Sequence, residues 1–191
     1  MRTSFIWLLA ALFLISCNQK YNEADAQGTE AATVASQDFF PVTNFIKGEI
    51  LDIRTNGVNP MKITTTGSKV DSGWLKVEEL DSAFAEFLHP EIDSSTMGKY
   101  FKETKFLDQT INAYTFTYEP KVALPDSLSI QRWDVHINPQ AKTVKRIYIE
   151  KINDQNRQLR LTWQSKESCT IISFSPNDTI EKEVLIKWKF E

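Results

Sequence analysis

The spacing of apolar residues changes along the chain, and each change marks an element. First comes an unbroken apolar run of 11 residues, Phe5 to Ile15 (FIWLLAALFLI), behind a single basic residue, Arg2. It is too short for a spanning helix, which needs about 20 residues, and fits the apolar segment of a secretory signal. Residues 18–37 (NQKYNEADAQGTEAATVASQ) then contain only Tyr21 and Val34 as large apolar or aromatic side chains. Such a stretch buries too little surface to offset chain entropy, so it predicts a flexible tether. A flexible coil of this length reaches roughly 25 Å.

From Pro41 to Arg54 the apolar residues Val42, Phe45, Ile46, Ile50, Leu51 and Ile53 follow a helical face. Pro41 suits the first turn of that helix. Asn56-Gly57 and Asn59-Pro60 break the chain. Met61 to Thr66 (MKITTT) predicts a short strand, closed by a Gly67-Ser68 turn. A second helix is predicted from Trp74 to Leu88, introduced by Asp71-Ser72-Gly73. Val77, Leu80, Phe84, Phe87 and Leu88 would form its apolar face, and Glu78, Glu79, Asp81 and Glu86 its polar one. Pro90 stops it, since the residue before proline avoids helix, which leaves His89 at the helix C-terminus.

After Gly98 the period becomes two. Tyr100 to Phe106 and Ile111 to Tyr118 are strand-like, and Trp133, Val135 and Ile137 oppose Arg132, Asp134 and His136. The stretch 144–152 has apolar residues of both parities, as expected of a strand covered on both sides. Alternation continues through Leu159, Leu161 and Trp163, then Cys169 to Phe174, then Val184, Ile186, Trp188 and Phe190. The expected fold is α+β. Two N-terminal helices with a short strand precede a curved antiparallel meander of about six strands, with a partly open barrel as the main variant. Residues 38–191 are expected to form this one domain.

Composition narrows the class. The 191 residues are 41% hydrophobic, with only six Gly and seven Pro, which excludes collagen-like and wholly disordered chains. A net charge of −3 and a pI of about 5.5 argue against nucleic-acid binding. The charge is uneven: residues 18–98 carry six basic and thirteen acidic side chains, and residues 99–191 fifteen basic and twelve acidic. No cofactor is expected, and two distant histidines give no metal-ligand spacing.

The apolar leader ends in Leu14-Ile15-Ser16-Cys17. This tetrad resembles the lipobox of bacterial lipoproteins. The resemblance implies removal of residues 1–16, thioether-linked diacylglycerol on Cys17, and acylation of the new N-terminus. The expected organisation is therefore signal peptide 1–16, acylated Cys17 with a tether to residue 37, and the domain. Membrane contact would run through the lipid anchor, whose acyl chains contribute about 0.8 kcal/mol per buried CH₂. The next residue is Asn18, not Asp, which by the same resemblance favours the outer membrane of the cell envelope, facing the periplasm or the surface. The body is similar in general style to small lipoproteins of Bacteroidota. Cys169 is then left without a disulfide partner in the chain and reads as a small core residue.

Chemistry is sparse. Arg132, Asp134 and His136 share one strand face, a common surface composition, and no nucleophile elbow, phosphate loop, HExxH or CxxC pattern occurs. The expected function is therefore a non-catalytic envelope domain that binds a partner protein or an apolar ligand. An envelope hydrolase with a site assembled from distant residues is the alternative. Two sets of residues are candidates for binding. Trp133, Tyr148, Trp163, Phe174 and Trp188 fall on successive strands and would line an apolar cavity if they shared one side, or else form the core. Lys142, Lys145, Arg146 and Lys151 lie on one hairpin arm, with Arg157 and Arg160 on the next. They would meet an anionic partner, or simply protect an exposed sheet. A Cys17→Ala variant is expected to lose acyl labelling and to leave the membrane fraction; unchanged labelling would overturn the anchor.

Overall fold

A computed structural model describes residues 39–189. The signal segment, Cys17 and the tether lie outside these residues. Helix α1 (Val42–Thr55) follows the expected pattern: Val42, Ile46, Ile50 and Ile53 are all buried, while Leu51 is exposed. Pro41 is its N-cap, and the chain leaves it through Asn56 and Gly57, the latter at φ +66°.

The strands are β1 (Met61–Thr66), β2 (Lys69–Trp74), β3 (Phe101–Asp108), β4 (Ala113–Pro120), β5 (Ile130–Ile137), β6 (Val144–Ile152), β7 (Gln158–Gln164), β8 (Ser168–Phe174) and β9 (Ile180–Lys187). They form one antiparallel sheet in the order β2-β1-β9-β8-β7-β6-β5-β4-β3. Strands β3 to β9 are a meander of seven, and the β1–β2 hairpin adds to its last strand, with Met61 opposite Lys187.

The α+β expectation is corrected by this sheet. The protein is largely β, an open nine-stranded antiparallel sheet with little helix. The predicted second helix is the main error. Its first residues belong to β2, where Trp74 pairs with Met61 and Asp71 with Thr64. The remainder breaks into a 3-10 turn (Val77–Glu79) and two four-residue helices, α2 (Leu80–Ala83) and α3 (Ala85–Leu88), interrupted at Phe84. Leu80, Phe84 and Phe87 are still buried, so the apolar spacing reported contact with the sheet rather than a continuous helix. His89 does end α3, in extended conformation before a cis peptide to Pro90. A further short helix, α4 (Ser94–Met97), is capped by the Asp93 carboxylate, which accepts from the Thr96 amide at 2.9 Å.

One face of the sheet is apolar, and the helices cover it. Across the register its rows read Tyr118, Trp133, Ile149, Leu161, Ile171, Val184, and beside it Val135, Ile147, Trp163, Cys169, Ile186. Phe84 and Phe87 set their ring edges on Trp163 at 5.2 Å each, and Phe39 meets Trp133 at 6.1 Å. Lys151, expected on a charged surface, is instead buried. Its ammonium donates to the carbonyls of Glu86 (2.9 Å) and His89 (2.7 Å) and pairs with the Glu86 carboxylate, tying β6 to α3.

The other face is polar. One of its rows runs Glu183, Ile172, Arg160, Glu150, Arg132, with charges largely alternating in sign. Arg160 stacks over the Phe174 ring at 4.2 Å, and Tyr148 donates to Glu150 at 2.7 Å. Opposite charges side by side on neighbouring strands stabilise a solvated face. A Trp163→Ala change, which empties the centre of the aromatic cluster, is expected to cost about 3–5 kcal/mol in chemical denaturation. A loss well below 1 kcal/mol would show that the ring is not core.

Candidate functional site

The turn after β3, the β5–β6 connection and the β7–β8 turn come together at one end of the sheet. Each is shaped by local chemistry. The Asn138 side chain accepts the amides of Gln140 and Ala141 at 2.9 Å, bending the β5–β6 connection. Lys166 takes a left-handed conformation, φ +62°, in the β7–β8 turn. That turn is braced from α1: the buried carboxylate of Glu49 accepts from the Trp163 indole (2.6 Å), the Lys166 amide (3.1 Å) and the Ser165 hydroxyl. Three donors offset the desolvation of a buried charge.

Between these turns lies a cleft of about 540 Å³. Lys145, Arg146, Lys166 and Lys189 line it, with His136, Gln164 and Ser165. Glu167 is the acid in the lining, and it pairs with Lys189 at 3.1 Å. The Lys145 ammonium donates one proton to the Ile111 carbonyl at 3.0 Å. Arg146 places Nη2 3.3 Å from His136 Nε2, while Thr115 Oγ1 lies 3.0 Å from His136 Nδ1. A guanidinium can only donate, so Nε2 is the acceptor and the ring proton sits on Nδ1, toward Thr115. Burial first, then the Arg146 charge, holds the His136 pKa below its ordinary value.

The candidates named from sequence separate into three groups. Lys145 and Arg146 come together in the cleft, joined by Lys166 and Lys189, which sequence reasoning did not connect with them. Trp133, Trp163 and Trp188 lie on the helix-covered face. Trp133 and Trp163 are fully enclosed, and Trp188 packs against Trp163 at 4.9 Å. Tyr148 and Phe174 point to the opposite face, so the five aromatics do not line one cavity. Arg132 pairs with Asp134 at 3.2 Å and with Glu119 at 3.4 Å, while His136 bonds to Thr115 and Arg146. Arg157 pairs with Glu181, and Arg160 lies 3.6 Å from Asp178.

A second cleft, of about 580 Å³, adjoins the first. Lys166 and Lys189 are common to both, and Ile53, Val58 and Trp188 form its apolar lining. Among the described residues no three His, Cys, Asp or Glu side chains gather as a metal site, and no helix is long and apolar enough to cross a membrane. No protein-family model matches the chain, and no curated protein or solved structure is significantly similar to it.

Cys169 lies on β8 and is 1% exposed, and burial pushes its thiol pKa well above the usual value. With Cys17 acylated or replaced by Ala, a thiol reagent is expected to leave Cys169 unmodified in native protein and to label it in denaturant. Rapid labelling of the native protein would contradict this burial.

Proposed function

We propose that this chain is a lipoprotein of the cell envelope, anchored through Cys17 at the outer membrane, with a non-catalytic β domain that binds an anionic partner. The observation that carries the binding function is the basic cleft, where four cations from three separate parts of the sheet face one acid. Like charges repel, and gathering them costs free energy that an anionic ligand would recover. The lipobox-like tetrad, the short apolar leader and the polar, Ala-rich composition of residues 18–37 support the anchor. A flexible linker of this length would give the domain a reach of roughly 25 Å from the bilayer, enough to turn the cleft toward a ligand in solution or in the membrane.

Native mass spectrometry of the anchored protein, extracted from membranes, is expected to show a bound anionic species. The Lys145→Ala/Arg146→Ala double variant should hold it at least about tenfold more weakly, since losing even one of the two charge-assisted contacts costs ~1.4 kcal/mol. Equal retention by the double variant would remove the cleft from the function.

A further inference from the structure

Resting on the anionic cleft proposed above, we propose that its ligand is a tetrahedral dianion, a phosphate monoester, and that binding it places a proton on His136. The charge count sets the class. With Glu167 neutralising Lys189, the charges of Lys145, Arg146 and Lys166 are left for the ligand. A lone carboxylate would answer one of them. A dianion with three free oxygens answers two and accepts from Arg146 in the paired geometry that guanidinium offers to phosphate.

The proton follows from what Arg146 does in the empty cleft. Its Nη2 occupies the His136 Nε2 lone pair at 3.3 Å, and Nδ1–H is engaged with Thr115 Oγ1 at 3.0 Å. The ring is therefore neutral and has no free nitrogen. Arg146 and Lys145 on β6 oppose its protonation, while Asp134 on β5 and Asp108 at the end of β3 favour it. Thr115, from β4, is uncharged. Lys166, Glu167 and Lys189 face the same cleft from the β7–β8 turn and from beyond β9. A ligand that takes the Arg146 guanidinium uncovers Nε2 and sets negative charge beside it. A proton from solvent then binds Nε2, and the new N–H donates to a ligand oxygen; Nδ1–H stays with Thr115. No bond within the ligand breaks. Since the bound state carries one more proton, affinity rises as pH falls, by up to about tenfold per pH unit.

Inorganic sulfate is the probe, because it stays a dianion from about pH 8 to about pH 5, the range where imidazole titrates. The His136 ring signal of the full acylated chain in detergent is followed by NMR across that range, with and without sulfate. Sulfate is expected to raise the titration midpoint by about one unit or more, with a matching rise in affinity toward low pH. His136→Asn should still bind sulfate, without the pH dependence. If sulfate shifts the Lys145 and Arg146 signals while the His136 midpoint stays put, the proton coupling is overturned and the anionic cleft stands. If sulfate moves none of the cleft signals, both are overturned. Glycerol phosphate and a short-chain phosphatidic acid, each competing against sulfate, identify the source. The stronger competitor shows whether the natural ligand is a soluble ester or a lipid headgroup.

Discussion

Burying one face of a nine-stranded sheet against a single 14-residue helix and a broken crossing segment leaves little redundancy in the core. The segment between β2 and β3 has to travel from one edge of the sheet to the other, since these two strands are the edges. On the way it lays Leu75, Leu80, Phe84, Phe87, Ile92 and Met97 onto the apolar face, all buried. Regular helix is not required for that task. Side chains large enough to span the gap are: Trp163 and Trp188 both meet Phe84 of the broken segment, and Trp163 also meets Phe87. Edge-on aromatic pairs add about 0.5–1.5 kcal/mol each beyond the area they bury.

The same arrangement reaches the cleft. Glu49 sits one turn from Ile53 on the buried side of α1, so the packing that hides the apolar face also fixes a carboxylate against the β7–β8 turn. That turn carries Lys166 and Ser165 into the cleft lining. The position of one cleft-lining lysine is thus set by the core and not by its own neighbours in sequence. Lys151 shows the converse: a lysine of the same charged hairpin lies inward, its ammonium held by two carbonyls and a carboxylate at the end of α3.

The meander was legible because strands such as β5 and β7 are apolar on one side, which writes a period of two into the sequence. Helix α1 was legible for the corresponding reason. Strand β2 was not: Lys69–Trp74 is exposed at every position, so no alternation marks it. An edge strand is held by backbone hydrogen bonds to β1, which side-chain patterns do not report. The second helix was overcalled because contact with a sheet every three or four residues imitates a helical face. At the site, the charges of Lys145 and Arg146 were visible, but their meeting with Lys166 and Lys189 depends on strand register. His136 looked like ordinary surface because the Thr115 and Arg146 that engage it come from neighbouring strands.

The junction between β1 and β9 bears on when this fold can form. Met61–Thr66 finds its second neighbour only in the last strand of the chain, and contacts so distant in sequence form slowly. A chain delivered across a membrane N-terminus first would hold its opening hairpin unsatisfied along one side until its final residues arrived. Whatever route delivers the chain, this topology leaves the open side of the β1–β2 hairpin to be met by the last of the nine strands.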